Sequence, residues 1–516
     1  ASACRASMPV RRSSSAISGY RLSRPAEAGQ IPTTVSTTRR KFIFAAGGSG
    51  IGALAPAPLT AAGQNSAGAS PGPQIAMPAR RVPVLAEADI VVCGGGTAGI
   101  AAACCAARHG AKVILLERWP SLGGMATNAL VNIWHTSDRT KPVIRGFVQE
   151  AIERGGRFVR QMAHYPTRPE THEFDSTGMR MVFDRMLRDA GVRVFCNLMA
   201  VESVVEDGRM RGVLVDTKTG RKAVCGKIFI DATGDGDVAA NAGLPFDFGR
   251  AADGLVQGMT MMFRLRGLDP ARVKAHPEDA QHVFELMKKL RDEGKFPPFL
   301  EAAARSYLAS PRDPIVSYNM CPVSGNPLDE EELTRLSARA REQVYQYVDL
   351  WREMMPGFEG ADVEQMGFAL GIRESRRIRG IKTLEAPMVV NAVKQPDAIG
   401  HGFWMIDIHD PKGSGHTTWV DQKKEMMPPV GESYHIPLGI CLNDRLPNLA
   451  VVGRCISATH EALASIRLQS HCMVMGQGVG TCAALALGAG VDMAKFDLRA
   501  LQARLREDGA YLENVP

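Results

Sequence analysis

Three glycines carry the first chemistry legible in this chain. They stand at 94, 96 and 99 in Gly94-Gly95-Gly96-Thr97-Ala98-Gly99, directly after the apolar run Ile90-Val91-Val92-Cys93. Residues 88–93 read as a short buried parallel strand. The Ala-rich run from Ile100 to His109, closed by Gly110, reads as a helix. A strand that turns straight into a helix aims the helix's unpaired N–H groups and positive dipole end at one point, which suits a diphosphate. Gly94 allows the tight turn, and Gly96 lets the backbone approach the pyrophosphate beside Thr97 and Ala98. Gly99 lets helix and strand pack closely. A second strand, 112–116, ends at Glu117. A carboxylate there accepts hydrogen bonds from both ribose hydroxyls and repels a 2′-phosphate. Inside such a strand–turn–helix–strand–acid unit, G-x-G-x-x-G specifies a dinucleotide far better than it does alone.

Beyond the acid runs Arg118-Trp119-Pro120-Ser121-Leu122-Gly123-Gly124-Met125-Ala126-Thr127. A second Gly pair at this place resembles the extension of FAD-binding flavoproteins of the glutathione-reductase-like and succinate-dehydrogenase-like kind; NAD dehydrogenases lack it. The resemblance implies that the backbone amides of Gly123 and Gly124 reach the same diphosphate from its other side, and that Arg118, Met125, Ala126 and Thr127 also bind the cofactor. Residues 227–231 form a strand that enters Ala232-Thr233-Gly234, which resembles the second flavin-side motif. The segments 192–196, 201–205 and 212–216 alternate like short strands. By resemblance that hairpin crosses the adenine end near Val201. A third strand-plus-glycine ends in Gly453-Arg454, where the usual acid is replaced by Arg454. The helical run that follows holds Gln477, Gly478 and Val479. By resemblance its N-terminal end faces the flavin pyrimidine and stabilises negative charge there.

Four ordered blocks stand at 123–127 (G-G-M-A-T), 230–237 (I-D-A-T-G-D-G-D), 373–378 (R-E-S-R-R-I) and 453–458 (G-R-x-I-S-A). Together they make residues 88–490 resemble the bacterial FAD-dependent oxidoreductase family. The implied architecture is α/β: a split Rossmann-like FAD-binding domain, with a parallel central sheet and a small β crossover, and an inserted α+β substrate or cap domain. The expected divisions are 1–87 (export signal and disordered linker), 88–250 (first part of the FAD domain), 251–436 (cap), 437–497 (second part) and 498–516 (C-terminal helix and tail). The implied cofactor is FAD, and no metal site is expected.

The middle of the chain supplies candidate reacting groups. Arg373 and Arg377, read as i and i+4 of a helix, would present one face to an anionic or polyhydroxylated small-molecule substrate. Oxidation of a C–OH or C–NH bond needs a base for the heteroatom proton while hydride goes to flavin N5, and a histidine suits that task. His409 and His435 are the leading candidates, with His401 and His416 nearby in sequence. His460, Arg467 and His135 are candidates for the reacting face. For each, the plain alternative is a satisfied core or surface residue. The chain has no C-x-x-x-x-C near its first glycines and no second G-x-G-x-x-G in a βαβ unit. Electrons are therefore expected to leave to oxygen, a quinone or a small redox protein. Rival readings are a flavin-dependent reductase or desaturase, a non-redox FAD enzyme, and a redox-inactive flavoprotein that serves as a binding module.

Composition fits these readings. The 516 residues are 45% hydrophobic and 22% charged, which argues against global disorder and against many membrane spans. The formal charge is +7, but residues 1–87 hold ten Lys or Arg against two Glu, which leaves 51 basic and 52 acidic residues in 88–516. The body thus carries no electrostatic footprint for nucleic acid. The eleven cysteines include no C-x-x-C pair and read as small buried hydrophobes. Thr38-Arg39-Arg40-Lys41-Phe42-Ile43 and the apolar run to Leu54 resemble a twin-arginine signal, with Ala67-Gly68-Ala69 or Thr60-Ala61-Ala62 as cleavage sites. The run is too short and Gly-rich for a confident membrane span, so none is expected in the mature protein. The implied partner is the twin-arginine export machinery and the implied location periplasmic or secreted; a mitochondrial transit peptide and an uncleaved tail are the alternatives. Replacing Arg39 and Arg40 together by Lys is expected to hold the protein in the cytoplasm. Normal recovery from the periplasm, measured by fractionation, would refute the export reading.

Overall fold

The computed structural model describes residues 75, 79, 81–162, 170–275, 289, 293–294, 306–308, 315–409, 411 and 426–515. The chain divides into two units, 1–57 and 58–516. The first unit, with Arg39 and Arg40, lies outside the described residues, as does His416.

A parallel sheet forms the centre. Its strands lie in the order Leu449–Val451, Ile228–Asp231, Ile90–Cys93, Val113–Glu117 and Arg193–Cys196. The apolar runs read from the sequence are these strands, buried because helices cover the sheet. The chain order brings a strand from residue 449 beside one from 228, so the FAD-side fold is assembled from both ends of the chain. A four-stranded sheet of Val84–Glu87, Gly220–Cys225, Arg209–Thr217 and Met199–Glu206 is the small crossover. Residues 84–87 therefore belong to the folded body, not to the linker that the sequence reading ended at 87.

Helix Gln469–Ala489 packs against helix Thr97–Arg108 through bare glycine surfaces. A Cβ on Gly476 would fall 2.2 Å from the Ala98 carbonyl oxygen, and one on Gly480 would fall 2.3 Å from that of Ala102. Close backbone contact needs residues without side chains at both places. By length and composition this helix, of mean hydropathy 1.5, is apolar enough to cross a membrane, but 78% of that stretch is buried inside the protein. Its apolarity serves the core.

A second core lies in the inserted region. Strands Ser306–Leu308, Val316–Val323, Met259–Arg266 and Asp362–Met366 form an antiparallel sheet. Helix Glu330–Met354 contributes Leu336, Val344, Tyr347 and Trp351 to the core beneath it. Along Met259–Arg266 the side chains alternate: Met261, Phe263 and Leu265 enter this core, and Thr260 and Met262 face the other way. The cap core ends near Leu370. Ile378, Leu384, Ala398, Phe403, Tyr434 and Ile436 pack instead with the first core, so the described part of 376–436 joins the FAD side.

Two substitutions separate close packing from mere helix content. Gly480→Ala is expected to cost about 1–3 kcal/mol by overpacking. Gly488→Ala, where a Cβ meets nothing within 4 Å, is expected to stabilise by up to about 1 kcal/mol through helix propensity. Urea melts of the two variants would show opposite shifts in midpoint; shifts of the same sign would refute the packing argument.

Candidate functional site

A cavity of about 300 Å³ runs along the carboxyl ends of the parallel strands. Gly94, Gly96, Thr97 and Ala98 line it from the first turn, Glu117 and Arg118 from the end of the next strand, Ala232, Thr233 and Gly234 from the A-T-G turn, and Gly453 and Arg454 from the last. The glycine geometry has a steric cause. Gly94 has φ +110°, and a Cβ there would sit 2.2 Å from the Ala232 carbonyl oxygen. One on Gly99 would sit 1.9 Å from the Gly94 carbonyl oxygen, so Gly99 serves packing and does not line the cavity. A Cβ on Gly96 would meet nothing within 4 Å.

Glu117 is buried. Its carboxylate accepts from the Gly95 N–H at 2.6 Å and the Trp119 N–H at 2.8 Å. Burial pushes its pKa up against these bonds. The second Gly pair folds back on the first turn: Gly123 N–H donates to the Gly95 carbonyl at 2.8 Å, and a Cβ on Gly124 would sit 2.9 Å from Gly96 Cα. Gly124 and Met125 thereby reach the cavity. Gly123, Ala126 and Thr127 stand behind them; Thr127 Oγ1 donates to the Leu122 carbonyl, and the Ala126 carbonyl accepts from Ser176 Oγ.

Arg454 is tied to the A-T-G turn. It donates to Asp235 Oδ1 and to Ser375 Oγ, each at 2.7 Å. Arg118 adds a second cation 3.8 Å from Asp235. Burial alone would raise the Asp235 pKa, but these two guanidiniums outweigh it and hold the carboxyl below its ordinary range.

Two expected cofactor contacts move. Leu198, Met199 and Ala200 line the cavity and Val201 does not. The pairing of that strand shifts between Ala200 and Glu202, so Val201 falls at an irregularity, and its carbonyl accepts from Asn241. Helix Gln469–Ala489 starts after Leu468, two turns before the glycines. Arg467, Leu468, Gln469 and Cys472 line the cavity from that end. Gln477, Gly478 and Val479 lie mid-helix: Gln477 accepts from the Phe147 N–H and donates to the Asp508 carbonyl, and a Cβ on Gly478 would press on Ile399.

The cap supplies the opposite wall, with Thr260, Met262, Asn319, Gly371, Ile372 and Arg373. Arg373 Nη1 donates to the Gly258 carbonyl at 2.7 Å and to Thr260 Oγ1 at 2.6 Å. Its Nη2 lies 3.5 Å from Asn319 Oδ1. Arg377 is not its helical neighbour, because the chain from Arg376 to Ile378 is a strand paired with Phe246–Phe248. Arg377 is instead buried on Glu374 and on the carbonyls of Ala458 and Gly249. Glu374 also holds His460 Nδ1 at 2.7 Å, so His460 belongs to this buried cluster and not to the cavity wall.

His409 does line the cavity, with Nε2 facing Asp407 Oδ2 at 3.5 Å. Burial, then the nearby Arg373, lowers its pKa to about 3. His435 does not reach the cavity: its Nδ1 accepts from the Gln395 N–H, and its Nε2 meets the Glu513 carbonyl. His401 binds the same carbonyl at 3.1 Å, so both histidines anchor the C-terminal tail. His135 lines the cavity stacked on Trp404, ring centroids 4.1 Å apart. Trp404, Asp407, Thr260, Asn319 and Gln469 were not singled out from the sequence. For Asp407 a signal was present, since it lies two residues before His409 and shares its side of an extended chain. Cys472 is no nucleophile, because burial pushes its thiol up to about 12. Among the described residues no group of three His, Cys, Asp or Glu is placed to hold a metal ion.

A family model described as FAD dependent oxidoreductase matches residues 89–505. The chain belongs to that family. Over 170 residues it is 29% identical to digeranylgeranylglycerophospholipid reductase 1 of Methanopyrus kandleri, a match covering 31% of this chain and 43% of that one. Over 165 residues it is 28% identical to thiamine thiazole synthase of Methanococcus aeolicus, covering 30% and 57%. The matches thus span about half the length of these curated relatives. Among solved structures it is similar to a geranylgeranyl bacteriochlorophyll reductase-like protein of Thermoplasma acidophilum, with TM-score 0.43, 12% identity and coverage of 83% and 86%.

The cavity fits FAD. The open side of Gly96 gives a diphosphate room that any side chain would take, the helix end at Thr97 offers it N–H groups, and buried Glu117 stands where ribose hydroxyls need an acceptor. The strand order sets the direction. Bound FAD would place its adenosine towards Glu117 and Leu198 and its flavin the other way, towards Gly453 and the start of helix Gln469–Ala489. Glu117→Ala removes the ribose acceptor and leaves two N–H groups without their partner. FAD is expected to bind roughly 10- to 100-fold more weakly, read as a lower flavin-to-protein ratio after purification. An unchanged ratio would refute the ribose assignment.

Proposed function

We propose that this FAD-dependent oxidoreductase dehydrogenates or oxidises a small organic substrate. The observation that carries the reading is His409: one cavity holds the dinucleotide cradle and a half-buried, neutral imidazole backed by a carboxylate. Bound FAD supplies a two-electron acceptor for hydride at N5. The protein's part is to hold the substrate and take its heteroatom proton.

His409 suits that part. With its pKa lowered to about 3, it is uncharged across the physiological range, as a base must be before the reaction. A proton on Nε2, facing Asp407, leaves Nδ1 as the acceptor, and Asp407 stabilises the imidazolium once it forms. Arg373 opposes that charge in the free enzyme. A substrate that pairs with Arg373 screens its field and raises the proton affinity of His409 when the base is needed. The cap wall of Thr260, Met262, Asn319 and Ile372 closes the substrate in from the side opposite the sheet.

The electron acceptor that reoxidises the flavin is proposed to be oxygen, a quinone or a small redox protein. Export by the twin-arginine machinery belongs to the same proposal, supported by the Arg39-Arg40 segment and the apolar run after it.

Anaerobic mixing of the holoenzyme with hydroxy and amino compounds tests the reaction. The expected result is bleaching of the oxidised flavin band with one product formed per flavin. Product without bleaching favours a non-redox FAD enzyme, and bleaching by no compound tried overturns the reading. His409→Gln is expected to slow bleaching by roughly 10²- to 10⁴-fold. Because the free-enzyme histidine protonates only near pH 3, kcat/KM is expected to hold level as pH falls from 8 to 5. A fall with a midpoint near 6.5 would overturn the lowered pKa of His409.

A further inference from the structure

We propose that Asp237 holds the ribityl chain of bound FAD, its carboxylate accepting a hydrogen bond from one of that chain's hydroxyls. The inference concerns the cofactor and is independent of the substrate.

The order of groups along the cavity raises it. The lining runs from Glu117, past the first glycine turn and the A-T-G turn, to Gly453 and the start of helix Gln469–Ala489. With adenosine towards Glu117 and flavin towards that helix, the link between diphosphate and flavin ring passes the A-T-G turn and Gly453. That link is ribityl, a polyol with three hydroxyls. A hydroxyl taken out of water needs an acceptor for its proton. Among the described residues three carboxylates line the cavity: Glu117, Asp237 and Asp407. Glu117 stands at the ribose end, and Asp407 faces His409. Asp237 follows the A-T-G turn, three residues after Gly234. Its neighbours do not offer the same service. Thr233 Oγ1 already donates to Asp231 Oδ1 at 2.7 Å and accepts from the Asp237 N–H at 3.0 Å. Arg454 has donors alone, and it spends two of them on Asp235 and Ser375.

Asp237 is fixed on one side and open on the other. Arg376 Nη1 donates to its Oδ1 at 2.9 Å and to the Asp235 carbonyl at 3.1 Å, which sets the carboxylate against the turn. Oδ2 accepts no hydrogen bond among the described residues. The side chain is 25% exposed, and the residue lines the cavity. Burial, then the like charge of Asp235, pushes the Asp237 pKa up, and Arg376 and Arg118 offset only part of this. A donor placed on Oδ2 stabilises the ionised carboxylate. Phosphate cannot be that partner, because two anions repel. A neutral polyol can.

Binding of flavin nucleotides by the full chain tests the assignment without any substrate. The probes are FAD and its 2′-, 3′- and 4′-deoxyribityl analogues, added to flavin-free protein and followed by flavin absorbance and fluorescence anisotropy. The wild-type chain is expected to bind FAD roughly 10- to 100-fold tighter than at least one analogue. Asp237→Ala is expected to bind that analogue and FAD alike. Asp237→Asn keeps an acceptor carbonyl and is expected to retain part of the preference. Arg376→Met leaves the carboxylate in place and is expected to retain all of it, even where its affinity for both ligands falls. Circular dichroism melts report the folding of each variant; should Asp237→Ala not fold, Asp237→Asn decides. Equal binding of FAD and all three analogues by the wild-type chain would overturn the inference. So would a full preference in Asp237→Ala or Asp237→Asn. Loss of the preference in Arg376→Met as complete as in Asp237→Ala would show that Asp237 acts through its ion pair alone, and that too would overturn it.

Discussion

The close approach of backbone to backbone at one turn underlies the rest of the structure. The chain leaves strand Ile90–Cys93 and enters helix Thr97–Arg108 with Gly94 pressed on Ala232 and Gly99 pressed on Gly94. Two ångströms of extra separation would draw the helix end away from the strand ends and open the phosphate site. The same helix is then held on its far side by Gly476 and Gly480, again through contacts that a single methyl group would forbid. The dinucleotide turn is thus clamped between two glycine-lined contacts, one local and one made by residues almost 400 positions later. This is why the cofactor fold needs both ends of the chain.

Charge is handled differently at the two ends of the cavity. Beside the A-T-G turn every guanidinium has an acid: Asp235 takes Arg454 and Arg118, and Asp237 takes Arg376. These bonds also tie Gly453 and the loop after it to the strand from 228. At the far end Arg467 donates to the main-chain carbonyl of Asp407, and Arg373 donates to Thr260 Oγ1 and the Gly258 carbonyl.

What the sequence disclosed follows the range of the interactions involved. The fingerprint glycines, Glu117, the A-T-G turn and the central strands are local features whose spacing alone fixes their geometry, and they fall where they were expected. Arg373, His409 and Arg467 were recognisable as candidates by residue type. Only long-range folding could show that they meet and that Arg377 and His435 do not. The error at Gln477 is instructive. Glycines in a helical run suggested a helix N-terminus open to the flavin, whereas here they are spaces cut for helix Thr97–Arg108, and the true N-terminus at Gln469 has no glycine to mark it. The slip at Val201 has a similar origin, since a one-residue irregularity in pairing leaves no trace in hydrophobic alternation.

The cap shows how such a scaffold changes substrate without losing cofactor. Strand Met259–Arg266 obeys two constraints on opposite faces: Met261, Phe263 and Leu265 hold the cap together, and Thr260 and Met262 look at the cavity. Met262 pairs across the sheet with Asn319, and Arg373 lies over Thr260 and Asn319. Substitutions on the cavity face alter what the site recognises and leave the cap core untouched, because adjacent residues of a strand point to opposite faces. Nothing of the kind is possible on the sheet side, where the Gly94 turn admits no side chain and Glu117 is bonded to two main-chain N–H groups. Specificity in this protein therefore belongs to the inserted region and to the start of helix Gln469–Ala489, and cofactor affinity belongs to the sheet. The two can vary separately because they are built on different faces of one cavity.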